Sequence, residues 1–285
     1  MLSVQRLTAA LRPCVETCLV NHRLKLVYAY VPKAACTSIK AWLVRYAGWA
    51  PELLTKIIQA EAAGLTPGSS GYPKIHDHLD QHYSLRKAAT SEIESLWDNG
   101  RYFKFSFVRH PLSRLVSAYL DKVVWAKSTA RRVIRNRQFR NGHLTWRQAA
   151  QWFRRNAGFD AERSLTFREF VNQLCREDPE RMNPHFRSQA RLLRGIPLDF
   201  IGRVENSEAD FAYVQDHLGI RQPLTSRNKT AYSAGAENVL AADWPAARFR
   251  GSAPAPVWQR FFDEPLRKSA EQLYADDFAQ FGYQS

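Results

Sequence analysis

Lys33, Thr37 and Ser38 stand close together in Val31-Pro-Lys-Ala-Ala-Cys-Thr-Ser38, between a short apolar run and a helical pattern. An ammonium group, two hydroxyls and a backbone free of bulky side chains are what a phosphate-sized anion requires: a point charge, hydrogen-bond donors and room to approach. A loop entering a helix adds amides with no partner inside the helix and the positive end of its dipole. Ala34 and Ala35 permit the close approach, and Cys36 completes the loop. An ATP or GTP loop would read G-x-x-x-x-G-K-[ST]. This loop has no glycine and its lysine comes before the turn, which argues against an ordinary nucleotide hydrolase or kinase; it is P-loop-like only in placing an anion between a strand and a helix.

A second anion site is expected in Phe105-Ser-Phe-Val-Arg109-His-Pro-Leu-Ser-Arg-Leu-Val-Ser117-Ala-Tyr. Arg109 falls at the end of a strand pattern, and Ser117 lies about two helical turns further on, so strand end and helix can converge on one phosphate. Arg114, between them, is expected to make a structural salt bridge. Between the two motifs lies Ile75-His-Asp-His78-Leu, after a stretch from Gly64 to Pro73 rich in glycine and proline. Histidine, with an unperturbed pKa of about 6.5, suits proton transfer near neutral pH. The competing chemistry is a metal site, because His76, His78 and His82 cluster with Asp77 and Asp80, and alternating histidines in a loop bind zinc weakly. No metal is expected. His110 reads as structural.

These groups need elements to position them. Leu24 to Val31 is a buried strand ended by Pro32, and Thr37 to Tyr46 a helix stopped by Gly48. Tyr102 to Val108 is a second strand, with Pro111 in the first turn of a helix running to about Trp125. Two strand–helix units in series predict an α/β fold with a central parallel β-sheet flanked by helices. Further on, a helix is expected around Trp146 to Arg155, a capping box at Thr166-Phe-Arg-Glu169 opens a helix through Leu174, Asp199 to Val204 is a strand, Ser207 caps a helix to Leu218, Arg221 to Ala255 is irregular, and Trp258 to Tyr274 is a closing helix. One domain is expected over 1–285, with the core of the anion sites in 24–125.

The chain carries 41 Lys and Arg against 27 Asp and Glu, a net +14, among 285 residues. From Lys127 to Phe159 there are nine Lys or Arg and no acid, so this basic stretch, 127–159, accounts for most of the excess. Such a patch concentrates anions, whether nucleic acid, membrane surface, nucleotide or acidic polysaccharide; it is equally compatible with a solvated insertion. No nucleic-acid recognition motif accompanies it. Four cysteines are too few for a disulfide scaffold. No apolar run approaches the roughly 18 residues needed to span a bilayer, and Met1 to Leu19 is interrupted by Arg6, Arg12, Pro13 and Glu16. The expectation is a chain with no membrane span and a cytoplasmic location, or the Golgi lumen if an anchor has been removed.

The motifs resemble those of the PAPS-dependent carbohydrate sulfotransferases, especially the Golgi enzymes acting on chondroitin, dermatan and the sulfated glucuronyl epitope. Val31-Pro-Lys-Ala-Ala-Cys-Thr-Ser38 is similar to their 5′-phosphosulfate loop, and Phe107-Val-Arg-His-Pro-Leu-Ser-Arg-Leu-Val-Ser-Ala-Tyr-Leu-Asp-Lys122 to their 3′-phosphate motif. Weaker matches continue in Ile201-Gly-Arg-Val-Glu205, Arg227-Asn-Lys-Thr230 and Leu273 to Tyr283. The resemblance implies a sulfotransferase fold and transfer of a sulfuryl group from 3′-phosphoadenosine 5′-phosphosulfate (PAPS) to a hydroxyl of a carbohydrate, acidic polysaccharides included. It further implies that Lys33 contacts the phosphosulfate, Thr37 and Ser38 the 5′ side, and Arg109 and Ser117 the 3′-phosphate. A His-x-His in the corresponding interval of related enzymes carries the base, which favours His78, with His76 second. Asn183-Pro-His-Phe-Arg187 resembles a histidine–aromatic motif of the family and marks His185 and Arg187 for acceptor contact. The basic stretch, where the family binds acceptors, has no matching pattern. A nucleic-acid-binding protein and a non-catalytic glycan-binding protein are the alternatives; neither accounts for both anion motifs and the histidine pair.

Overall fold

A computed structural model of the chain describes residues 15–124, 166–225, 232–233, 239–250 and 254–284. In chain order the principal elements are β1 (Cys18–Asn21), β2 (Leu26–Ala29), α1 (Cys36–Arg45), α2 (Pro51–Ala62), α3 (Ile75–His82), α4 (Thr90–Asp98), β3 (Phe103–Val108), α5 (Pro111–Tyr119), α6 (Phe167–Leu174), β4 (Phe200–Arg203), α7 (Ser207–Leu218), α8 (Glu264–Leu273) and α9 (Ala275–Phe281). The basic stretch 127–159, the helix expected at 146–155 and Arg227–Thr230 lie outside the described residues. The chain forms two compact units, Met1–Arg109 with Leu192–Lys229, and His110–Arg191 with Thr230–Ser285.

The first unit is built on a four-stranded sheet in the order β1-β2-β3-β4. β2, β3 and β4 run parallel, as the repeated strand–helix pattern predicts. β1 adds an antiparallel edge through a tight hairpin with β2, so the sheet is mixed. The sequence reading starts the sheet at Leu24 and does not anticipate β1. In the hairpin turn Asn21 Oδ1 accepts the Leu24 amide at 3.0 Å and Lys25 takes a positive φ of 51°. Both central strands are buried at every position; β2 accordingly reads as a continuous apolar run, whereas β3 sets Lys104 and Ser106 between its phenylalanines.

Phe103, Phe105 and Phe107 alternate along β3 and therefore share one face. Phe105 stacks on Tyr28 of β2 with centroids 4.8 Å apart, and Phe107 meets Phe211 of α7 at 6.0 Å. Lys104, on the opposite face, is only 3% exposed. It is tolerated there because its ammonium donates to the Tyr102 carbonyl at 3.0 Å and lies 3.6 Å from Asp199. α1 buries Ile39, Trp42 and Leu43, the stripe its periodicity predicts. Helices α2 to α4 occupy the interval between the two strand–helix units, and α3 turns the histidine segment into a helix where a loop is expected.

In the second unit α5 is buried along its whole length. It gives way at Leu120–Val124 to a π-helical turn, so the regular helix ends earlier than expected. The capping box forms as predicted: Thr166 Oγ1 accepts the Glu169 amide at 3.2 Å, and Glu169 Oε2 accepts the Thr166 amide at 2.9 Å. Tyr119, Phe167 and Phe261 form an aromatic centre, with Tyr119 5.2 Å and Phe261 5.3 Å from Phe167. Two boundaries differ from expectation. Ser207 is the first residue of α7 and Asn206 its N-cap, without a side-chain capping bond. The closing helix is divided into a 3₁₀ turn, Trp258–Phe261, and α8. The division falls where Asp263 Oδ1 accepts the Leu266 amide at 3.0 Å and starts a new helix with Pro265 in its first turn.

Candidate anion-binding and transfer site

The loop from Val31 to Ser38 lies between β2 and α1 of the first unit, as its residue types require. Lys33 and Ala35 both adopt positive φ, 70° and 55°. Neither is glycine, so the local backbone holds a conformation that costs on the order of 1 kcal/mol per residue. Ala35 is also the N-cap of α1, and alanine supplies no capping oxygen. The first helical bond runs from the Ile39 amide to the Ala35 carbonyl at 3.1 Å. The amides before it lie at the helix N-terminus, where the dipole favours an anion. The Ala34 amide turns back to Val31 O at 3.2 Å, which tightens the loop, and Ala34 is fully buried.

Two predicted residues from distant positions meet this loop. Arg109, just past the end of β3, reaches back so that Nη1 donates to the Lys33 carbonyl at 3.4 Å. His76, in the first turn of α3, brings Nε2 to 2.9 Å from the hydroxyl of Thr37. His78 does something different: its Nε2 lies 2.9 Å from Glu52 Oε1 on α2, and its ring sits 4.5 Å from that of His82. A helix turns about 100° per residue, so positions two apart point to different sides. The pair, of which the family resemblance favours His78, is therefore split, with His76 beside the Val31–Ser38 loop and His78 beside a surface carboxylate. The Glu52 carboxyl is held below its ordinary pKa by a backbone hydrogen bond and by the bond with His78.

Behind Thr37 and His76 lies a polar cluster that the sequence reading does not single out. Lys40, three residues after Thr37 on α1, is completely buried. Its ammonium donates to Asp80 Oδ1 at 2.8 Å and lies 3.5 Å from the centroid of the Tyr30 ring. The Tyr30 hydroxyl donates to Asp80 Oδ2 at 3.2 Å. Burial pushes the Lys40 pKa down, with the Asp80 charge opposing it; burial and Asp80 together push the Tyr30 phenol up. Asp80 itself is 42% exposed at its side chain, so water solvates one end of the pair. The signal was present in the sequence: Lys40 falls on the same helical stripe as Cys36 and Val44, where an apolar residue is the rule.

The second unit contains the remaining predicted residues. Ser117 is 3% exposed on α5. Arg114, 1% exposed, donates from Nη1 to the Arg187 carbonyl and from Nη2 to the Pro184 carbonyl, both at 2.9 Å. The Tyr274 hydroxyl donates to the Phe186 carbonyl between them at 2.7 Å, so the segment carrying His185 is fastened by its main chain. His185 is half-buried, with Nδ1 2.8 Å from Asn183 Oδ1. Arg187, marked for acceptor contact, is 6% exposed and donates from Nε and Nη2 to the Met182 carbonyl at 3.1 and 2.8 Å. Among the described residues no helix is long and apolar enough to cross a membrane.

A mixed sheet whose parallel strands bring a lysine-bearing loop without a side-chain cap to a helix N-terminus, and a strand-end arginine to that same loop, gives an α/β fold with a candidate anion site. The profile of the sulfotransferase family matches residues 16–284, and the chain belongs to that family. Among curated proteins it is similar to carbohydrate sulfotransferase 14 of Danio rerio, 30% identical over 93% of this chain and 61% of the relative. It is also similar to the Homo sapiens protein of that name, 33% identical over 70% of this chain and 46% of the relative. Carbohydrate sulfotransferase 11 of Danio rerio is 26% identical over 93% of this chain and 66% of its own length. No solved structure gives a significant match. The chain thus spans about half to two thirds of the length of these relatives. The cytoplasmic location expected from the sequence is overturned by them, because carbohydrate sulfotransferases are Golgi enzymes. That expectation rested on finding no long apolar run within residues that span only part of the relatives' length, which carries no information about location.

Proposed function

We propose that this chain transfers a sulfuryl group from PAPS to a hydroxyl of a carbohydrate, and that the Val31–Ser38 loop receives the 5′-phosphosulfate. The observation that carries the reading is the convergence on one uncapped helix N-terminus of Lys33, the strand-end Arg109 and a histidine bonded to Thr37. The family and the carbohydrate sulfotransferase relatives support the reaction class and a carbohydrate acceptor. One sulfotransferase domain over 1–285 suffices for this reading.

In the reaction the acceptor oxygen forms a bond to sulfur as the bond from sulfur to the bridging oxygen breaks. The leaving group is 3′-phosphoadenosine 5′-phosphate, and the acceptor proton passes to a base. Lys33 neutralises the charge that develops on the bridging oxygen, and the helix amides with Thr37 and Ser38 hold the 5′-phosphate. Arg109, and by the sequence motif Ser117, serve the 3′-phosphate. For the base we favour His76, because its contact with Thr37 puts an imidazole beside the phosphosulfate loop, whereas His78 is engaged by Glu52. His185 is a residue for acceptor contact. No step in this scheme uses a metal.

The test is calorimetric titration with 3′-phosphoadenosine 5′-phosphate, followed by turnover of labelled PAPS on a panel of acidic and neutral glycans. Micromolar binding that is lost in Arg109→Ala, with turnover abolished in Lys33→Ala and His76→Ala and retained in His78→Ala, is expected. An inactive His78→Ala with an active His76→Ala would reverse the assignment of the base. Failure of the wild type to bind the nucleotide would overturn the sulfotransferase reading and leave glycan or nucleic-acid binding.

A further inference from the structure

We propose that Lys40, with Asp80 and Tyr30, is a positioning group that holds His76 at the phosphate loop; its catalytic consequence rests on the reading of His76 as the base. Two pairs link α1 to α3. Thr37 and Lys40 lie three apart on α1, His76 and Asp80 four apart on α3, so each pair of residues shares one face of its helix. Thr37 meets His76 at 2.9 Å and Lys40 meets Asp80 at 2.8 Å. The second contact fixes the rotation of α3 about its own axis, and that rotation decides whether His76 or His78 faces the loop.

Tyr30 makes the arrangement three-sided. It immediately precedes Val31 of the loop, lies under the Lys40 ammonium at 3.5 Å, donates to Asp80 at 3.2 Å and meets the His76 ring edge-on at 6.5 Å. The chain therefore ties the entry to the loop, the helix behind it and the helix carrying the histidine to a single buried ammonium. A buried lysine is retained at a cost in desolvation. A hydrophobic residue would fill the same stripe on α1, but it would provide no directional bond to α3. Misplacing a reacting group by about 1 Å is worth on the order of 100-fold in rate, so the group matters for turnover far more than for donor affinity.

The experiment uses the full chain and two variants, Lys40→Met, which keeps the bulk, and Asp80→Asn, which keeps the shape. Selective labelling of the eight histidines gives ring resonances, with His76 assigned by its loss in His76→Gln. Both variants are expected to shift the His76 ring signals in the nucleotide-free protein and leave those of His22 and His217 unchanged. Turnover is expected to fall about 10- to 100-fold, while the KM for PAPS and the affinity for 3′-phosphoadenosine 5′-phosphate stay within about 3-fold. If Lys40→Met does not fold, Asp80→Asn decides the matter alone, since its side chain is partly in water. An unmoved His76 ring, unchanged turnover, or nucleotide affinity that falls in parallel with turnover would each overturn the proposal. A wild type that binds no nucleotide would sink the sulfotransferase reading instead, and the ring signals would still report whether Lys40 and Asp80 position His76.

Discussion

Gly202→Ala tests whether the sheet that delivers Arg109 is packed as described. Gly202 on β4 is the register partner of Phe107 on β3, and the Phe107 ring lies across it. A Cβ at position 202 would fall 2.5, 2.6 and 2.9 Å from three atoms of that ring. Ordinary carbon–carbon contact is about 3.5 Å or more, so the ring would have to retreat by about 1 Å. It has nowhere to go, being fully buried and enclosed by Phe105, Phe200 and Phe211 with centroids 6.4, 6.2 and 6.0 Å away. Overpacking of a close-packed core costs about 1 to 3 kcal/mol, and with no free side the upper end, about 3 kcal/mol, is expected. Phe107 is two residues from Arg109, so the same displacement should weaken binding of 3′-phosphoadenosine 5′-phosphate several-fold. Urea unfolding gives the first quantity and calorimetry the second. Phe107→Leu in the same chain should recover part of the loss, with a coupling of at least about 1 kcal/mol in a double-mutant cycle. A Gly202→Ala protein within about 0.5 kcal/mol of the wild type would refute the reasoning, because the ring could not then lie over that glycine.

Two other outcomes follow from the second unit. Arg114→Met should cost about 2 to 4 kcal/mol in urea unfolding, because the Pro184 and Arg187 carbonyls lose a charged donor at a buried site, whereas His185→Ala should stay within about 0.5 kcal/mol. Arg168 donates to Asp243 at 2.6 Å and to Asp263 at 2.7 Å, and these hydrogen bonds hold both carboxyls below their ordinary pKa. Their stabilisation is present above the unfolded carboxylate pKa of about 4 and is lost as the pH falls through the lowered folded values. Arg168→Met should therefore destabilise the protein near neutral pH by less than about 1 kcal/mol, the carboxylates being 59% and 33% exposed. The difference should vanish near pH 2 in a series of thermal unfolding curves.

The sequence was most informative where the physical cause is local. The turn between β2 and α1, the capping box at Thr166 and the buried strands depend on neighbours within a few residues, and each appears where the pattern puts it. β1 was missed because three apolar residues and an asparagine beside a polar turn carry no distinctive period, and the strand exists through its pairing with β2. Arg187 is marked by the family resemblance for acceptor contact, and only the structure shows its guanidinium bonded to a carbonyl five residues back in the chain. The histidine pair shows the same limit: the resemblance favours His78, but an i, i+2 spacing gives no ground for choosing between the two until the segment is known to be a helix and its rotation is known.

From sequence alone, then, come the reaction class suggested by two ordered motifs and the loop proposed for the anion, because lysine, small residues and hydroxyls lie next to one another in the chain. Only the tertiary structure decides which histidine faces that loop, since the answer depends on how α3 is rotated against α1. That rotation is set by a bond between residues forty positions apart, Lys40 and Asp80, and no local pattern encodes a contact whose two halves are joined only by folding.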